Sequence, residues 1–332
     1  MSSSLRSFAV FSAGAWGTAL SLALLRAGRD VVLCARRPEQ ADKFAKNREN
    51  TDYLPGIALP PDLTVTADRA VLTARDALIL AAPAQHLRVI CAELAAFIPD
   101  HQPLIVAAKG VEQGSHKLMS EVVAETLPGR PVFILSGPSF AHEVATGLPA
   151  ALTLASESGG AALAQAMTSP AFRLYTTDDI IGAQIGGALK NVLAIACGVV
   201  VGRHMGENAR AALMTRGLAE IMRLGIALGA RAETIMGLSG LGDVALTCAS
   251  AQSRNMSLGI ALGQGRKLDD ILAARKGVTE GVATAAAALS LAYRRGVDMP
   301  VISAVAAILR GDATIDAAIA DLLNRPLRAE AA

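Results

Sequence analysis

The chain has 332 residues, enough for two domains at about 150 residues each. Hydrophobic residues make up 52% of it and aromatic residues only 3%, and it contains 30 glycines and four cysteines. So apolar a chain is not disordered, and without a glycine repeat or a dense cysteine pattern it is neither collagen-like nor disulfide-stapled. The net charge of +2, with lysines and arginines scattered, gives no sign of a nucleic-acid-binding surface.

Residues 8–25 (FAVFSAGAWGTALSLALL) form an uncharged stretch just long enough to cross a bilayer. One interpretation is a signal peptide or a membrane anchor, with Arg6 as its positive region. However, serine, threonine and glycine residues interrupt the stretch. It divides into a β-like piece, a turn of small residues and a leucine-rich helix. We therefore expect a soluble, cytoplasmic protein without a membrane span.

The cysteines and histidines show no pattern of a metal site. Cys34, Cys91, Cys197 and Cys248 lie far apart, with no CxxC motif and no histidine at ligand spacing. We expect buried thiols in a reducing compartment, and no bound metal.

The first half of the chain alternates short apolar runs with helical stretches. Strands are predicted at residues 8–11, 31–35, 63–66, 77–82, 104–107, 132–135, 151–155 and 173–176, and helices for instance at 18–27 and 87–97. This alternation is typical of a doubly wound, mostly parallel α/β sheet with right-handed crossovers.

From about residue 178 the pattern becomes helical. The predicted helices are 182–202, 207–228, 232–237, 242–250, 255–264, 268–275, 279–295 and 301–310. No convincing strand follows, so we expect an all-α C-terminal domain over residues 182–332. This change in composition is the only sequence feature that indicates the boundary between the two domains.

A glycine-rich loop follows the first predicted strand. It has the pattern G-x-G-x-x-G, with Ser12 in the first position and Gly14 and Gly17 in the others. Gly14 would let the backbone approach a pyrophosphate, Gly17 would let helix and strand pack closely, and the helix start would hold the phosphates. A turn that only packs is the alternative. The position between strand and helix favours a Rossmann-type dinucleotide-binding domain, which we place at residues 1–181.

The second predicted strand is followed by Arg36 and Arg37, where NAD-preferring proteins usually carry an acidic residue for the ribose. Guanidinium groups suit a 2′-phosphate, so we expect NADPH to be favoured over NADH. A solvated arginine pair at a loop start is the alternative.

Several polar groups lie in apolar surroundings. Lys109 follows the fifth strand, the segment 136–143 (SGPSFAHE) follows the sixth, and Lys190 lies beside an asparagine in a long apolar helix. A buried lysine is costly unless it is paired or functional, although a lysine reaching solvent at a domain junction is also conceivable. Asp243 and Thr247, four residues apart, share a helical face. Arg254 either continues that helix or, with Asn255, opens the next one.

Taken together, these stretches are recognisable. The sequence resembles the bacterial NAD(P)-dependent sn-glycerol-3-phosphate dehydrogenase family through the segments AGAWGTAL, AAKGVE, SGPSFAHEVATGLPAALTLAS, GALKNVLAIACGVVVG, GLGDVALTC, SRN and VTEGVAT, which occur in order over nearly the whole chain. The resemblance implies a Rossmann-type domain, a helical substrate domain and an active site between them. It also implies reversible hydride transfer between a nicotinamide cofactor and dihydroxyacetone phosphate or sn-glycerol 3-phosphate, for glycerophospholipid precursor synthesis.

The resemblance also implies roles for individual residues. Lys190 would exchange the proton at the C2 oxygen, with Lys109 as a neighbouring cation, Asp243 orienting Lys190, and Thr247 hydrogen-bonding lysine or substrate. The implied substrate-binding residues are Lys109, Gly137, Ser139, Lys190, Asp243, Ser253, Arg254 and Asn255. The implied cofactor-binding residues are Gly14, Ala15, Trp16, Gly17, Arg36, Arg37, Lys109, Ala141, Arg254, Val278 and Glu280.

The sequence departs from the family pattern at Ser12, where glycine is usual, and at His142, where lysine is common; we expect His142 at the surface. Two other functions stay open. One is a β-hydroxyacid or 6-phosphogluconate-type dehydrogenase, which product identity would separate. The other is a protein that binds NADPH without turnover, which the set of polar residues disfavours. A homodimer is one possible assembly.

Overall fold

The computed structural model describes residues 5–275 and 277–326. In these two ranges, eight strands form a single sheet: β1 (Ser7–Phe11), β2 (Asp30–Cys34), β3 (Thr64–Thr66), β4 (Ala77–Leu80), β5 (Leu104–Val106), β6 (Val132–Ser136), β7 (Ala150–Ala155) and β8 (Phe172–Thr177). Each lies where the sequence predicts a strand. The strand predicted at 77–82 ends two residues early, at Leu80.

The strand order is β3-β2-β1-β4-β5-β6-β7-β8. The strands from β3 to β6 pair in parallel, whereas β7 runs antiparallel to β6 and β8 is parallel to β7. The predicted doubly wound, mostly parallel fold is therefore confirmed. The chain order reverses direction around β1, and such a switch point is where doubly wound sheets bind their ligands, at the carboxyl ends of the strands.

Within the described residues, six α-helices accompany the sheet: α1 (Ala15–Arg26), α2 (Pro38–Asn47), α3 (Leu87–Leu94), α4 (Met119–Thr126), α5 (Ala141–Thr146) and α6 (Gly160–Met167). Nine more follow it in the part of the chain up to residue 326 that the structure describes: α7 (Ile180–Gly202), α8 (Glu207–Ala227), α9 (Ala232–Ile235), α10 (Asp243–Ala249), α11 (Arg254–Gly263), α12 (Leu268–Ala273), α13 (Glu280–Arg294), α14 (Pro300–Arg310) and α15 (Ile315–Leu323). No strand follows Thr177 in the described chain, in line with the predicted all-α part. The predicted boundary at 181/182 falls in the first turn of α7 and stays a prediction.

The uncharged N-terminal stretch, residues 8–25, forms β1 and most of α1 and is almost wholly buried between sheet and helices. In the described chain one helix, α7, is long and apolar enough to cross a membrane, but 94% of its most apolar window is buried inside the protein. Its hydrophobicity is that of a core helix. The four cysteines are buried and free, as predicted.

Helix α7 is the centre of the helical part, and glycines bring α11 against it. A Cβ at Gly198 would lie 2.2 Å from the Met256 carbonyl oxygen, and one at Gly259 would lie 2.1 Å from the Ile195 carbonyl oxygen. Gly202 and Gly263, one turn further along each helix, meet in the same way. The two backbones therefore touch with no side chains between them, which fixes the position of α11 relative to α7.

This contact predicts a large stability cost for one methyl group. We expect Gly259→Ala to lower the free energy of unfolding by about 1 to 3 kcal/mol, because the added Cβ must push the two backbones apart. Urea unfolding followed by circular dichroism measures the change. An unchanged midpoint and slope would contradict the close backbone contact.

Candidate active site

The loop after β1 has the shape expected of a dinucleotide-binding turn. Ser12 adopts a φ of 88°, a conformation that glycine favours, so the serine takes up the turn normally made by the missing glycine. A Cβ at Gly17 would lie 2.0 Å from the Ser12 carbonyl oxygen, whereas a Cβ at Gly14 would meet nothing within 4 Å. Gly17 is therefore required for packing, and Gly14 faces open space at the N-terminus of α1.

The surroundings of this loop fit a dinucleotide. Gly14 caps the 12-residue helix α1 without a side-chain hydrogen bond, so its first N–H groups remain available for phosphate. In the first turn, next to Ala15, Trp16 has a buried indole N–H to which the described part of the chain offers no hydrogen-bond partner. Arg36 and Arg37 lie exposed just beyond β2, whose last residue, Cys34, accepts a hydrogen bond from the Ser12 N–H.

A buried lysine–aspartate centre lies where the helical part meets the sheet. The Lys190 ammonium, on α7, donates to a carboxylate oxygen of Asp243 and to the Thr247 hydroxyl, the latter at 3.0 Å. The Lys109 ammonium donates to the other Asp243 oxygen at 2.7 Å and to the Gly137 carbonyl at 2.9 Å. Asp243 is fully buried and Lys190 is 7% exposed. One carboxylate thus lies between two ammonium groups from opposite sides of the site.

The electrostatics of this centre favour proton exchange by Lys190. Burial lowers the pKa of Lys190 to about 8, the charge of Asp243 opposes that decrease, and the charge of Lys109 adds to it. A lysine with such a pKa carries both a protonated and a neutral population near physiological pH, which suits a general acid and base.

Local backbone geometry places Asp243 and its partners. A π-helical turn, Leu238–Gly242, leads into α10. A Cβ at Gly240 would lie 1.9 Å from the Ile235 carbonyl, and a Cβ at Gly186 of α7 would lie 2.5 Å from the Ser239 carbonyl. These contacts press the turn onto α7, so that Asp243 begins α10 directly against Lys190.

The loop after β6 carries two of the predicted residues. Gly137 has a φ of 140° and packs against the backbone of Leu152, and the Ser139 hydroxyl donates to the Gly137 carbonyl at 3.1 Å. Ala141 then begins α5. His142 is exposed, as expected.

The predicted phosphate-binding residues begin a new helix. Ser253 is the N-cap of α11, its hydroxyl accepting from the Met256 N–H at 3.2 Å, so the chain breaks before Arg254 instead of continuing α10. The Asn255 amide is fully engaged within the protein: it donates to the side-chain oxygen of Asn191 at 2.8 Å and accepts from the Gly281 N–H at 3.0 Å. The Arg254 side chain remains exposed.

The start of α13 bridges the two parts of the chain. The Glu280 carboxylate accepts from the Ala84 N–H, after β4, at 3.1 Å, and burial raises the pKa of Glu280 to about 7. The other Glu280 oxygen and the hydroxyls of Thr279 and Thr284 are buried without hydrogen-bond partners among the described residues. Val278, just before them, is 41% exposed. These unpartnered polar atoms fit a site that accepts a polar group.

The structure thus brings together Lys109, Gly137, Lys190, Asp243 and Thr247 by direct contact. Arg254 connects to them only indirectly, because Asn255 bonds to Asn191, the neighbour of Lys190. Sequence reasoning assigned no role to Asn191. The signal that could have identified it is an amide side chain beside a lysine in an otherwise apolar helix. Ala84 carried no such signal, since it contributes only its backbone.

The fold and the loop after β1 define a Rossmann-type dinucleotide-binding protein with a helical C-terminal part. The family model for the N-terminus of NAD-dependent glycerol-3-phosphate dehydrogenase matches residues 7–162, and that for the C-terminus matches residues 179–320. The chain belongs to the NAD-dependent glycerol-3-phosphate dehydrogenase family.

Individual relatives agree with this assignment. The chain is 55% identical to glycerol-3-phosphate dehydrogenase [NAD(P)+] of Caulobacter vibrioides, over 97% of this chain and 98% of that protein. It is 54% identical to the enzyme of the same name from Rhodospirillum rubrum, over 97% and 93% of the two chains. The crystal structure of glycerol-3-phosphate dehydrogenase from Coxiella burnetii superposes with a TM-score of 0.92 at 36% identity, over 96% of this chain and 99% of that one. A D-mandelate dehydrogenase at 14% identity, with a TM-score of 0.63 over 92% and 97% of the chains, shares the fold alone.

The turn at Ser12 generates a prediction. A non-glycine residue at this φ destabilises the folded state by about 1 to 2 kcal/mol. Glycine removes this strain, but its greater conformational entropy in the unfolded chain offsets part of the gain. We expect Ser12→Gly to raise the free energy of unfolding by roughly 0.5 to 1 kcal/mol, measured by chemical denaturation. Ser12→Ala, which keeps the Cβ, is the matched control and should show no gain. Equal stabilities of the two variants would contradict the strain.

Proposed function

We propose that the chain is a glycerol-3-phosphate dehydrogenase that uses NADPH or NADH to interconvert dihydroxyacetone phosphate and sn-glycerol 3-phosphate. The observation that carries the proposal is the buried Lys190, which is held by Asp243 and Thr247 and has a pKa of about 8. A secondary alcohol and its ketone differ by a hydride and a proton, and this lysine is placed to donate or accept the proton.

The chain's own groups account for the proton and the charge. In the reducing direction, the Lys190 ammonium gives its proton to the oxygen on carbon 2 as the alkoxide forms; in the oxidising direction, the neutral amine takes it back. The Lys109 ammonium lies on the other side of Asp243 and stabilises the developing negative charge. The nicotinamide dinucleotide supplies or accepts the hydride.

The residues that would hold the cofactor surround the loop after β1. Gly14, Ala15, Trp16 and Gly17 would bind the pyrophosphate, and Arg36 with Arg37 would bind the 2′-phosphate that distinguishes NADPH. Further cofactor contacts are proposed for Lys109, Ala141, Arg254, Val278 and Glu280. The unpartnered oxygen of Glu280 supports its inclusion, because a buried acceptor without a donor is otherwise costly.

The residues that would hold the substrate lie around the lysine–aspartate centre and at the start of α11. Arg254 would bind the phosphate, with Ser253, Gly137 and Ser139 closing around the substrate. The Asn255 amide is already engaged, so the part of Asn255 left for the substrate is its backbone N–H in the first turn of α11.

The wider assignments are also proposals. We propose that residues 1–181 bind the dinucleotide and residues 182–332 the substrate, and that the enzyme works in the cytoplasm to supply sn-glycerol 3-phosphate for phospholipid synthesis. A homodimer stays a prediction.

The first test is turnover. Purified protein should oxidise NADPH, followed at 340 nm, when dihydroxyacetone phosphate is added, with sn-glycerol 3-phosphate as the product. Lys190→Ala should lower kcat by about a hundredfold or more because it removes the proton donor, with the Kd for NADPH nearly unchanged. Because reduction needs the protonated lysine, kcat for reduction should fall as pH rises through about 8. For oxidation, kcat should rise over the same interval.

Lys46→Ala is the matched control, since Lys46 is exposed in the last turn of α2, at the opposite end of the helix from its N-cap Arg37, and its loss should change neither constant. Equal losses of turnover and NADPH binding in Lys190→Ala would indicate misfolding instead. Turnover of a β-hydroxyacid, with none of dihydroxyacetone phosphate, would overturn the proposed substrate.

The second test concerns the cofactor. Arg36→Ala and Arg37→Ala should each lower kcat/KM for NADPH by about tenfold, because each loses a charge-assisted bond to the 2′-phosphate, and leave kcat/KM for NADH within about twofold. Arg173→Ala, an exposed arginine on β8 at the far edge of the sheet, serves as the control. A wild-type preference for NADH that persists in both variants would defeat the assignment.

A further inference from the structure

A group of arginines surrounds the first turn of α11, and one of them has no role so far. The Arg275 guanidinium, just after α12, donates to the Arg254 carbonyl at 2.5 Å and to the Ser257 hydroxyl at 3.0 Å. Ser257 in turn donates to the same carbonyl at 3.2 Å. Arg275 therefore holds the backbone of the residue proposed to bind the phosphate.

The segment that follows encloses the same turn. A Cβ at Gly277 would lie 2.2 Å from a guanidinium nitrogen of Arg254, so the Arg254 side chain lies directly on the Gly277 backbone. Four residues on, the Gly281 N–H donates to the Asn255 amide oxygen. Residue 275 and residues 277–281 thus fix both the backbone and the side chain at the start of α11.

The charges at this place are unbalanced. In the described part of the chain, the bonds made by the Arg275 guanidinium go to uncharged oxygens, and Arg254 forms no direct ion pair. The charge of Glu280 acts on Arg254, but burial raises the pKa of Glu280 itself to about 7, so it offsets the arginines only in part. Burial lowers the pKa of Arg275, and the positive charges of Arg254 and Arg266 lower it further. Holding cations together costs free energy unless an anion joins them. Arg254 is also the first residue of the ten-residue helix α11, and the N-terminus of a helix favours an anion.

We infer that Arg275 is a positioning residue for phosphate recognition, which holds Arg254 and adds a second positive charge so that the start of α11 takes up the phosphate dianion of the substrate. The inference rests on the proposed function for the identity of that substrate. Arg275 does not touch the reacting carbon, so its effect belongs to binding of the phosphate group and not to proton or hydride transfer.

The test compares substrates with and without the phosphate. Arg275→Gln should raise KM for dihydroxyacetone phosphate by about tenfold, with kcat changed less than about threefold and KM for NADPH unchanged. The kcat/KM for dihydroxyacetone, which lacks the phosphate, should stay at the wild-type value. Arg275→Lys keeps the charge but lacks the planar guanidinium fork whose two nitrogens reach the Arg254 carbonyl and the Ser257 hydroxyl, so its KM should fall between those of the wild type and Arg275→Gln. Arg266→Gln, which removes a neighbouring charge but no hydrogen bond, should change KM by less than about twofold.

Two kinetic results would overturn the inference. An equal loss of kcat/KM with both substrates would indicate a general structural role. A raised KM for NADPH, with the KM for dihydroxyacetone phosphate unchanged, would assign Arg275 to cofactor binding. Calorimetric binding of inorganic phosphate separates this inference from the proposed function. Phosphate should bind the wild-type protein more tightly than Arg275→Gln, even if dihydroxyacetone phosphate is not turned over. Equal phosphate affinities of the wild-type protein and Arg275→Gln would contradict the role of Arg275 without contradicting the proposed function.

Discussion

The arrangement of the site depends on one buried carboxylate. Asp243 has no exposed surface and receives hydrogen bonds from two ammonium groups, one from the sheet side and one from the centre of the helical part. Removing one partner from such a buried group costs about 3 to 5 kcal/mol, so each lysine holds the position of the other. The pair of cations shares a single negative charge, which leaves a net positive site. A net positive site is what a reaction that passes through an alkoxide requires.

Helix α7 makes this arrangement possible because its glycines allow close contacts on several sides. A Cβ at Gly187 would lie 2.4 Å from the Ser136 hydroxyl at the end of β6, while Gly186 meets the turn before Asp243 and Gly198 meets α11. With larger residues at these positions the sheet, α10 and α11 would lie further from α7. Lys190 and Asn191 would then lose contact with Asp243 and Asn255. The glycine content noted in the composition is thus partly a requirement of the site.

Much of the fold could be predicted from the sequence, because apolar runs of strand length separated by helical stretches leave few alternatives. The direction of β7 could not, since hydrophobicity does not record whether neighbouring strands are parallel. The break before Arg254 was also open, and it was decided by the N-cap hydrogen bond of Ser253, which competes with continuation of α10. Lys109, Lys190 and Asp243 were marked by their charge in apolar surroundings and by the resemblance. Arg275 was not marked at all, because an arginine at the end of a predicted helix, 268–275, is expected at the surface until its hydrogen-bond acceptors are known.

Under the proposed function, the two charged regions of the site would each recognise a different part of a phosphorylated hydroxyketone. At the lysine–aspartate centre both ammonium groups are directed by a carboxylate, so each is fixed in place and aimed at a small volume. At the start of α11, within the described residues, neither guanidinium group forms a direct ion pair with a carboxylate, although the charge of Glu280 acts on Arg254. Arg254 is held through its backbone and by the surface of Gly277. A paired cation keeps a defined geometry for proton transfer, whereas an unpaired one keeps its full charge for a dianion. The Asn191–Asn255 hydrogen bond joins the two regions, so under the proposed function it would set the spacing between the groups that bind the phosphate and the lysine that acts at the reacting carbon.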